Sequence, residues 1–131
     1  MAFHVWIYRL SGGRLGGNMR GFKVLLLTTT GRKSGKAYTA PLGRFDMDGG
    51  YVIVASNAGQ NTNPAWYYNL KSNPQVTVQV DERILPATAE VLSGEARAQA
   101  WRQVIATTPG YANYEKQTTR EIPVILLRPT P

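Results

Sequence analysis

Lys23-Val24-Leu25-Leu26-Leu27-Thr28-Thr29-Thr30-Gly31-Arg32-Lys33-Ser34-Gly35-Lys36 is the stretch on which the fold turns. Val24 to Leu27 is apolar without interruption, which suits a short strand covered on both faces. The threonines prolong it, because β-branched side chains fit an extended backbone. Gly31 and Gly35 then bracket two cations and a hydroxyl in a turn. Backbone N–H groups in such a turn can converge on one anion, and Arg32 and Lys33 add charge-assisted hydrogen bonds. The turn approaches a phosphate-binding P-loop but does not match it. Gly31 to Gly35 is one residue too short, Lys36 is followed by Ala37, and a strand comes next instead of a helix. On spacing alone, a solvated basic hairpin tip accounts for it equally well.

Downstream, Ala37 to Phe45 reads as a second strand and Asp46-Met47-Asp48-Gly49-Gly50 as a hairpin turn. Tyr51 to Ser56 is a third strand. A polar loop, Asn57 to Asn63, feeds a helix with Asn63 as N-cap and Pro64 at its first position, ended by Asn73-Pro74. Val76, Val78 and Val80 alternate with Thr77 and Gln79, a strand with one wet face. After a turn at Asp81–Arg83, Leu85 to Leu92 forms another, its Pro86 predicting an edge or a bulge. Ser93 caps a helix bearing Ala96, Ala100, Trp101, Val104 and Ile105 at helical spacing, broken by Thr107-Thr108-Pro109-Gly110. Tyr111 and Tyr114 sit in a short helical segment, and Val124 to Leu127 is the last strand. Upstream, residues 3–10 read as a short amphipathic helix stopped by Gly12-Gly13. Six strands joined by tight turns predict an α+β domain over 1–131, mainly antiparallel and able to curl into a small barrel.

Composition narrows the chemistry. The chain has no cysteine and one histidine, His4, which removes thiolate nucleophiles, cysteine metal sites and an interior Ser-His-Asp triad. The first apolar stretch, Phe3 to Leu10, is interrupted by His4 and Arg9 and is too short to span a bilayer, so a cytoplasmic protein is expected. Net charge is +7, and it is lopsided: residues 1–45 hold eight Lys/Arg and no acid, while the rest hold seven Lys/Arg and eight acids. Such asymmetry points to a polyanionic partner: a phosphorylated cofactor, a nucleic acid or an acidic membrane surface.

Two further constellations could carry chemistry. Val54-Ala55-Ser56-Asn57 and Asn63-Pro64-Ala65-Trp66-Tyr67-Tyr68-Asn69 bring together a strand end, a polar loop and a helix N-terminus. Trp66 either flanks a flat ring or packs inward, and Asn69 either faces the same cleft or caps the helix end. Tyr111 and Tyr114, three apart, share a helix face. They either line an aromatic pocket or staple their segment to the barrel.

Taken together, Leu26-Leu27-Thr28-Thr29-Thr30-Gly31-Arg32-Lys33-Ser34-Gly35, Val52-Ile53-Val54-Ala55-Ser56, Asn63-Pro64-Ala65-Trp66-Tyr67, Asn69-Leu70-Lys71 and Asn73-Pro74 resemble the deazaflavin-dependent nitroreductase family. Pro109-Gly110-Tyr111-Ala112-Asn113-Tyr114 and Thr119-Arg120-Glu121-Ile122-Pro123 extend the resemblance to about residues 6–129. It implies a split β-barrel like that of flavin mononucleotide-binding oxidases, holding coenzyme F420 and no metal. It also implies hydride transfer from the reduced coenzyme to a quinone, a nitroaromatic or an activated enone. The coenzyme would be held by Arg32, Lys33 and Ser34, by Tyr38, Thr39, Ala40, Pro41, Leu42 and Gly43, by Val54, Ala55, Ser56 and Asn57, and by Ala65, Trp66, Tyr67, Tyr68 and Asn69. Tyr111 and Tyr114 would line the acceptor side, with Ser56 and Tyr114 polarising or protonating the acceptor.

The resemblance has departures. Tyr38 stands where an arginine often meets the coenzyme tail, and Asn57 where a lysine often stands. Gly43 and Thr108 replace pocket tyrosines, implying a wider or wetter acceptor pocket, and Lys36 is placed to compensate at the tail. Two readings compete: a flavin mononucleotide-binding oxidoreductase of the same barrel type, and a basic nucleic-acid-binding barrel. The second requires stacking aromatics beside the cations, and only Tyr38 is near them in sequence, so no nucleic-acid partner is expected. Peripheral contact with the inner membrane face through residues 3–10 is compatible with quinone reduction, since quinones reside in lipid.

Overall fold

The computed structural model describes residues 23–47 and 49–130; the expected helix at 3–10 lies outside them. Among the described residues there are seven strands: β1 (Val24–Thr30), β2 (Ala37–Gly43), β3 (Phe45–Met47), β4 (Gly50–Val54), β5 (Gln75–Val80), β6 (Arg83–Val91) and β7 (Val124–Pro129). Three helices accompany them, α1 (Ala65–Ser72), α2 (Gly94–Thr107) and α3 (Gly110–Gln117), with a 3-10 turn at Asn57–Gly59.

All paired strands are antiparallel, in the order β2-β1-β5-β6-β7-β4-β3. The order puts β2 and β3 at opposite edges, yet only Arg44 separates them in sequence. The sheet must therefore curl until its edges meet, and β2 does contact β4. This is an antiparallel sheet rolled into a split barrel.

Arg44 is also where the expected second strand, Ala37 to Phe45, proves to be two. Its N–H bonds Lys23 O (2.9 Å), its Nη1 bonds Val24 O (2.6 Å), and its Nε meets Asp46 Oδ1 (3.2 Å). The side chain, only 8% exposed, anchors the corner at which the chain leaves β1 and begins to pair with β4. Periodicity cannot reveal a change of partner within a continuous extended run.

Two apolar layers result. Leu25 and Leu27 of β1, Ile53 of β4, Val76, Val78 and Val80 of β5, and Ile125 and Leu127 of β7 fill the barrel, closed by Tyr67 and Leu70 of α1. The opposite faces of the same strands, Val52, Val54, Val124 and Leu126, meet Ala100, Trp101 and Val104 of α2. Alternation along β4 and β7 thus serves both layers, which is why those strands read as unbroken apolar runs.

Some local expectations shift. Pro64, not Asn63, occupies the cap position of α1, extended at φ −69° and ψ 157°, with no side-chain cap. Ser93 stands at the N-cap of α2 but makes no capping hydrogen bond. Pro86 lies in β6, an interior strand, instead of at an edge. Its carbonyl accepts from Thr130 N–H just beyond β7, so the missing N–H falls at the fraying end of that pairing.

Candidate functional site

The β1–β2 turn is built by short-range bonds. Gly31 N–H donates to Lys36 O (2.7 Å) and Gly35 N–H to Gly31 O (2.9 Å), with Gly35 at φ +72°. The Ser34 hydroxyl accepts from Lys36 N–H (3.2 Å) and pairs with the Tyr38 hydroxyl (3.1 Å). A β-carbon on Gly31 would come within 2.5 Å of Tyr38 Cε2 and 2.7 Å of Ser34 Oγ, so only glycine lets the turn close this tightly.

Asn69 then ties the turn to α1. Its buried amide accepts from Arg32 N–H (3.1 Å) through Oδ1 and donates to Thr29 Oγ1 (3.2 Å) through Nδ2. The Arg32 guanidinium lies 5.0 Å from the Tyr68 ring centroid, a cation–π contact that stiffens it over the helix. Between turn and helix opens a cleft of about 440 Å³, lined by Arg32, Lys33, Ser34, Tyr38, Ala40 and Trp66, with Gly31, Ala65 and Asn69. That volume falls in the range of small-molecule sites. One wall is cationic and polar, the other flat and apolar.

A second region follows β4. Ser56 is right-handed (φ −70°, ψ −30°), while Asn57 and Ala58 are left-handed at φ 48° and 54°, and Gly59 has φ 80°. For Ala58 this conformation costs about 1–2 kcal/mol. Right-handed geometry followed by left-handed turns successive N–H groups toward one side, a concavity suited to negative charge. The Asn57 amide donates to Thr62 O (3.0 Å), closing its own loop. From the far side Arg120 donates to Ala55 O (3.1 Å), Ser56 O (3.0 Å) and Gln60 O (3.2 Å). The Ser56 hydroxyl has no hydrogen-bond partner among the described residues.

The third region is aromatic. Phe45, Tyr111 and Tyr114 stand edge to face, with centroids 5.7 and 5.5 Å apart. Tyr111 and Tyr114 also pack on the α2 layer, so they do staple α3 to the barrel. A β-carbon on Gly43 would lie 3.5 Å from the Tyr111 hydroxyl, which places that phenol over the end of β2. Burial, and secondarily Tyr114, raise the Tyr111 pKa above 10.0, keeping it neutral. Phe45 also lines a cavity of about 300 Å³ with Arg44, Met47, Gln103 and Thr108. Among the described residues there is no cluster of metal-ligating side chains.

Residues 1–129 match the family model for F420H(2)-dependent quinone reductases. The chain belongs to that family. An F420H(2)-dependent quinone reductase of Mycobacterium tuberculosis is 37% identical over 132 residues, covering 97% of this chain and 88% of the relative. The solved structure of an F420-H2 dependent reductase, FDR-A, is 43% identical over 80% of this chain and 93% of its own, with TM-score 0.74. A structure described as a domain-swapped dimer shares 37% identity, covers 97% and 93%, and superposes with TM-score 0.78.

As a member of the F420H(2)-dependent quinone reductase family, the chain is an oxidoreductase whose coenzyme is F420. Membership decides for the deazaflavin reading over the flavin and nucleic-acid alternatives. Tyr68, 38% exposed, joins Tyr38 near the cations by lying under Arg32, a neighbour that sequence distance concealed.

The expected site residues of this quinone reductase family member are not all brought to one place. Arg32, Lys33, Ser34, Tyr38, Ala40, Ala65, Trp66 and Asn69 converge on the cleft; Lys36 does not line it. Trp66 does both things considered for it, lining the cleft and packing on the barrel core. Tyr67 is buried in that core beneath Lys71, and Tyr68 faces outward. Thr39 pairs with the Thr28 hydroxyl (2.8 Å), while Pro41, Leu42 and Gly43 continue β2 toward Tyr111. Val54 and Ala55 bury their side chains in different layers, leaving only backbone to offer. Ser56, Tyr111 and Tyr114 do not line the 440 Å³ cleft. Sequence reading missed Arg120 as a site residue, although it stood inside a motif block; its partners are 60 to 65 positions away.

Proposed function

We propose that this chain, acting as one split-barrel domain, holds coenzyme F420 along β2 and passes its hydride to a quinone. The acidic tail would lie in the cleft of the 31–36 turn, and the ring end would lie toward Ser56, Tyr111 and Tyr114. The observation that carries this reading is the cleft itself: Arg32 and Lys33 on one wall, Ala40, Ala65 and Trp66 on the other. Its donor set suits an acidic, phosphate-bearing chain and its apolar wall the carbon skeleton of that chain, so the cleft residues fit the coenzyme's tail.

When bound, the reduced coenzyme supplies the hydride. Arg32 and Lys33 neutralise the tail, Asn69 fixes their turn, and β2 provides an extended floor from Tyr38 to Gly43. Ser56 and Tyr114 have hydroxyls without partners among the described residues and are the groups to polarise or protonate the acceptor. Tyr111, neutral throughout the physiological range, walls the acceptor without adding charge. Gly43 lies beneath the Tyr111 hydroxyl and adds no side chain between β2 and that wall.

No helix among the described residues is long and apolar enough to cross a membrane. A cytoplasmic enzyme meeting the inner membrane face through residues 3–10 completes the reading, and co-sedimentation with anionic vesicles checks that part. The main experiment is a fluorescence titration with oxidised F420, followed by oxidation of F420H2 by a menaquinone analogue. Arg32→Ala and Lys33→Ala should each weaken binding about tenfold, with affinity falling as salt rises. Binding indifferent to both substitutions and to salt would remove the cleft from the function.

A further inference from the structure

We infer that Arg120 is a positioning residue for the reaction: by clamping the Ser56–Gln60 loop in its left-handed conformation, it sets the Ser56 end of β4 against the reacting ring. The inference rests on the reading that this strand end faces the ring rather than the tail.

Three donations from one guanidinium reach three carbonyls, Ala55 O, Ser56 O and Gln60 O, at 3.0–3.2 Å. They span the loop on both sides of the left-handed pair Asn57 and Ala58. Short-range bonds hold that pair as well. Within the loop, Gly59 N–H bonds Ser56 O (2.9 Å), Gln60 N–H bonds Asn57 O (3.1 Å), and the Asn57 amide bonds Thr62. An alanine at φ 54° relaxes unless its surroundings over-determine it.

The rest of the 117–120 segment completes the clamp. Thr118 Oγ1 (2.6 Å) and Thr119 N–H (3.1 Å) both donate to Asn61 Oδ1, and the Gln117 side chain packs on Gly59. This segment is the direct continuation of α3, which carries Tyr111 and Tyr114 and packs on the 57–59 turn. The clamp therefore links the two groups assigned to the acceptor, Ser56 and Tyr114, into one rigid unit. Arg120 Nη1 is buried without a partner among the described residues.

The test uses the full chain with Arg120→Ala and Arg120→Lys, beside wild type. Wild-type binding of oxidised F420 is established first, since its absence would sink the functional reading and not this one. In the Ala variant we expect the F420 dissociation constant to change less than about threefold, because the tail is held elsewhere. Turnover per bound coenzyme should fall about 10- to 100-fold, the cost of misplacement at the reacting end. Amide exchange at Gly59 and Gln60 should rise without change in β5 or β6. Guanidinium in the buffer should restore turnover and protection, and Arg120→Lys should restore part of the turnover. Unchanged turnover in the Ala variant would overturn the inference. So would a loss matched by exchange throughout the barrel and insensitive to guanidinium, which would make Arg120 a folding residue only. Should Arg120→Ala fail to fold, the Lys variant decides alone: wild-type turnover with freed Gly59 and Gln60 amides would overturn the inference.

Discussion

Replacing Asn69 by alanine tests how the cleft beside the 31–36 turn is built. The amide is 8% exposed and its two bonds run in different directions, one to the Arg32 backbone and one to the Thr29 hydroxyl. Thr29 is itself only 2% exposed, so water cannot readily replace the lost donor. A buried polar group left without its partner costs about 1–3 kcal/mol, whereas Arg32 N–H, nearer the surface, can recover a water. At this length ~1 kcal/mol moves Tm by about 3–5 °C, so Asn69→Ala should melt roughly 3–15 °C lower. The turn, no longer tied to α1, should also bind F420 several-fold more weakly.

A double-mutant cycle isolates the Asn69–Thr29 bond. Thr29→Val removes the hydroxyl that Asn69→Ala would strand, and replacing both members of a buried hydrogen bond is far cheaper than replacing one. Asn69→Ala should therefore cost at least about 1 kcal/mol less in the Thr29→Val background. Thermal and urea unfolding of the four proteins, with deazaflavin titration alongside, measure both effects. Additive costs, or an Asn69→Ala protein that melts and binds like wild type, would refute the account.

Other outcomes follow from the same geometry. Gly31→Ala must displace Tyr38 and Ser34, whose side-chain ends are exposed and movable, so stability should drop by less than ~1 kcal/mol. F420 affinity should nonetheless fall severalfold by titration. Tyr114→Phe and Ser56→Ala should each lower quinone turnover about tenfold or more with little change in F420 affinity, by steady-state kinetics; unchanged turnover removes either residue from the chemistry. The raised Tyr111 pKa adds an alkaline signature. The unfolded phenol ionises first, near 10.0, so this contribution to stability is intact below that pH and is lost as pH rises through the higher folded value. Tyr111→Phe should flatten that alkaline decline in urea-unfolding measurements from pH 9 upward.

Much of this architecture was legible in the sequence because its causes are local. Unbroken Val24–Leu27 announced a strand covered on both faces, and alternating Val76, Val78 and Val80 announced one covered on a single face. Gly31 and Gly35 marked the turn through conformational demands that those positions alone reveal. The split at Arg44 was not legible, since an extended run looks the same whether it keeps or changes its partner. Nor was the role of Asn69, whose type fits a cleft donor and a helix cap equally well. The choice depended on Thr29, 40 residues away. Tyr68 was invisible as a neighbour of Arg32 for the same reason.

These illegible contacts share a purpose. Both ends of the site lie on segments that short-range bonds alone would leave loose: a hairpin turn at 31–36 and a loop with two left-handed non-glycine residues at 57–58. In each case one polar side chain from a distant element reaches back to the segment's backbone, Asn69 from α1 and Arg120 from beyond α3. A redox enzyme without a protein nucleophile needs little else from its fold, because rate depends on holding donor and acceptor faces within about 3–3.5 Å. Tyr38 folds onto Ser34 and Asn57 closes its own loop, so each commits its polar group to its own segment. Affinity should then depend on Arg32 and Lys33, and rate on Arg120, so substitutions at the two ends should separate binding from turnover.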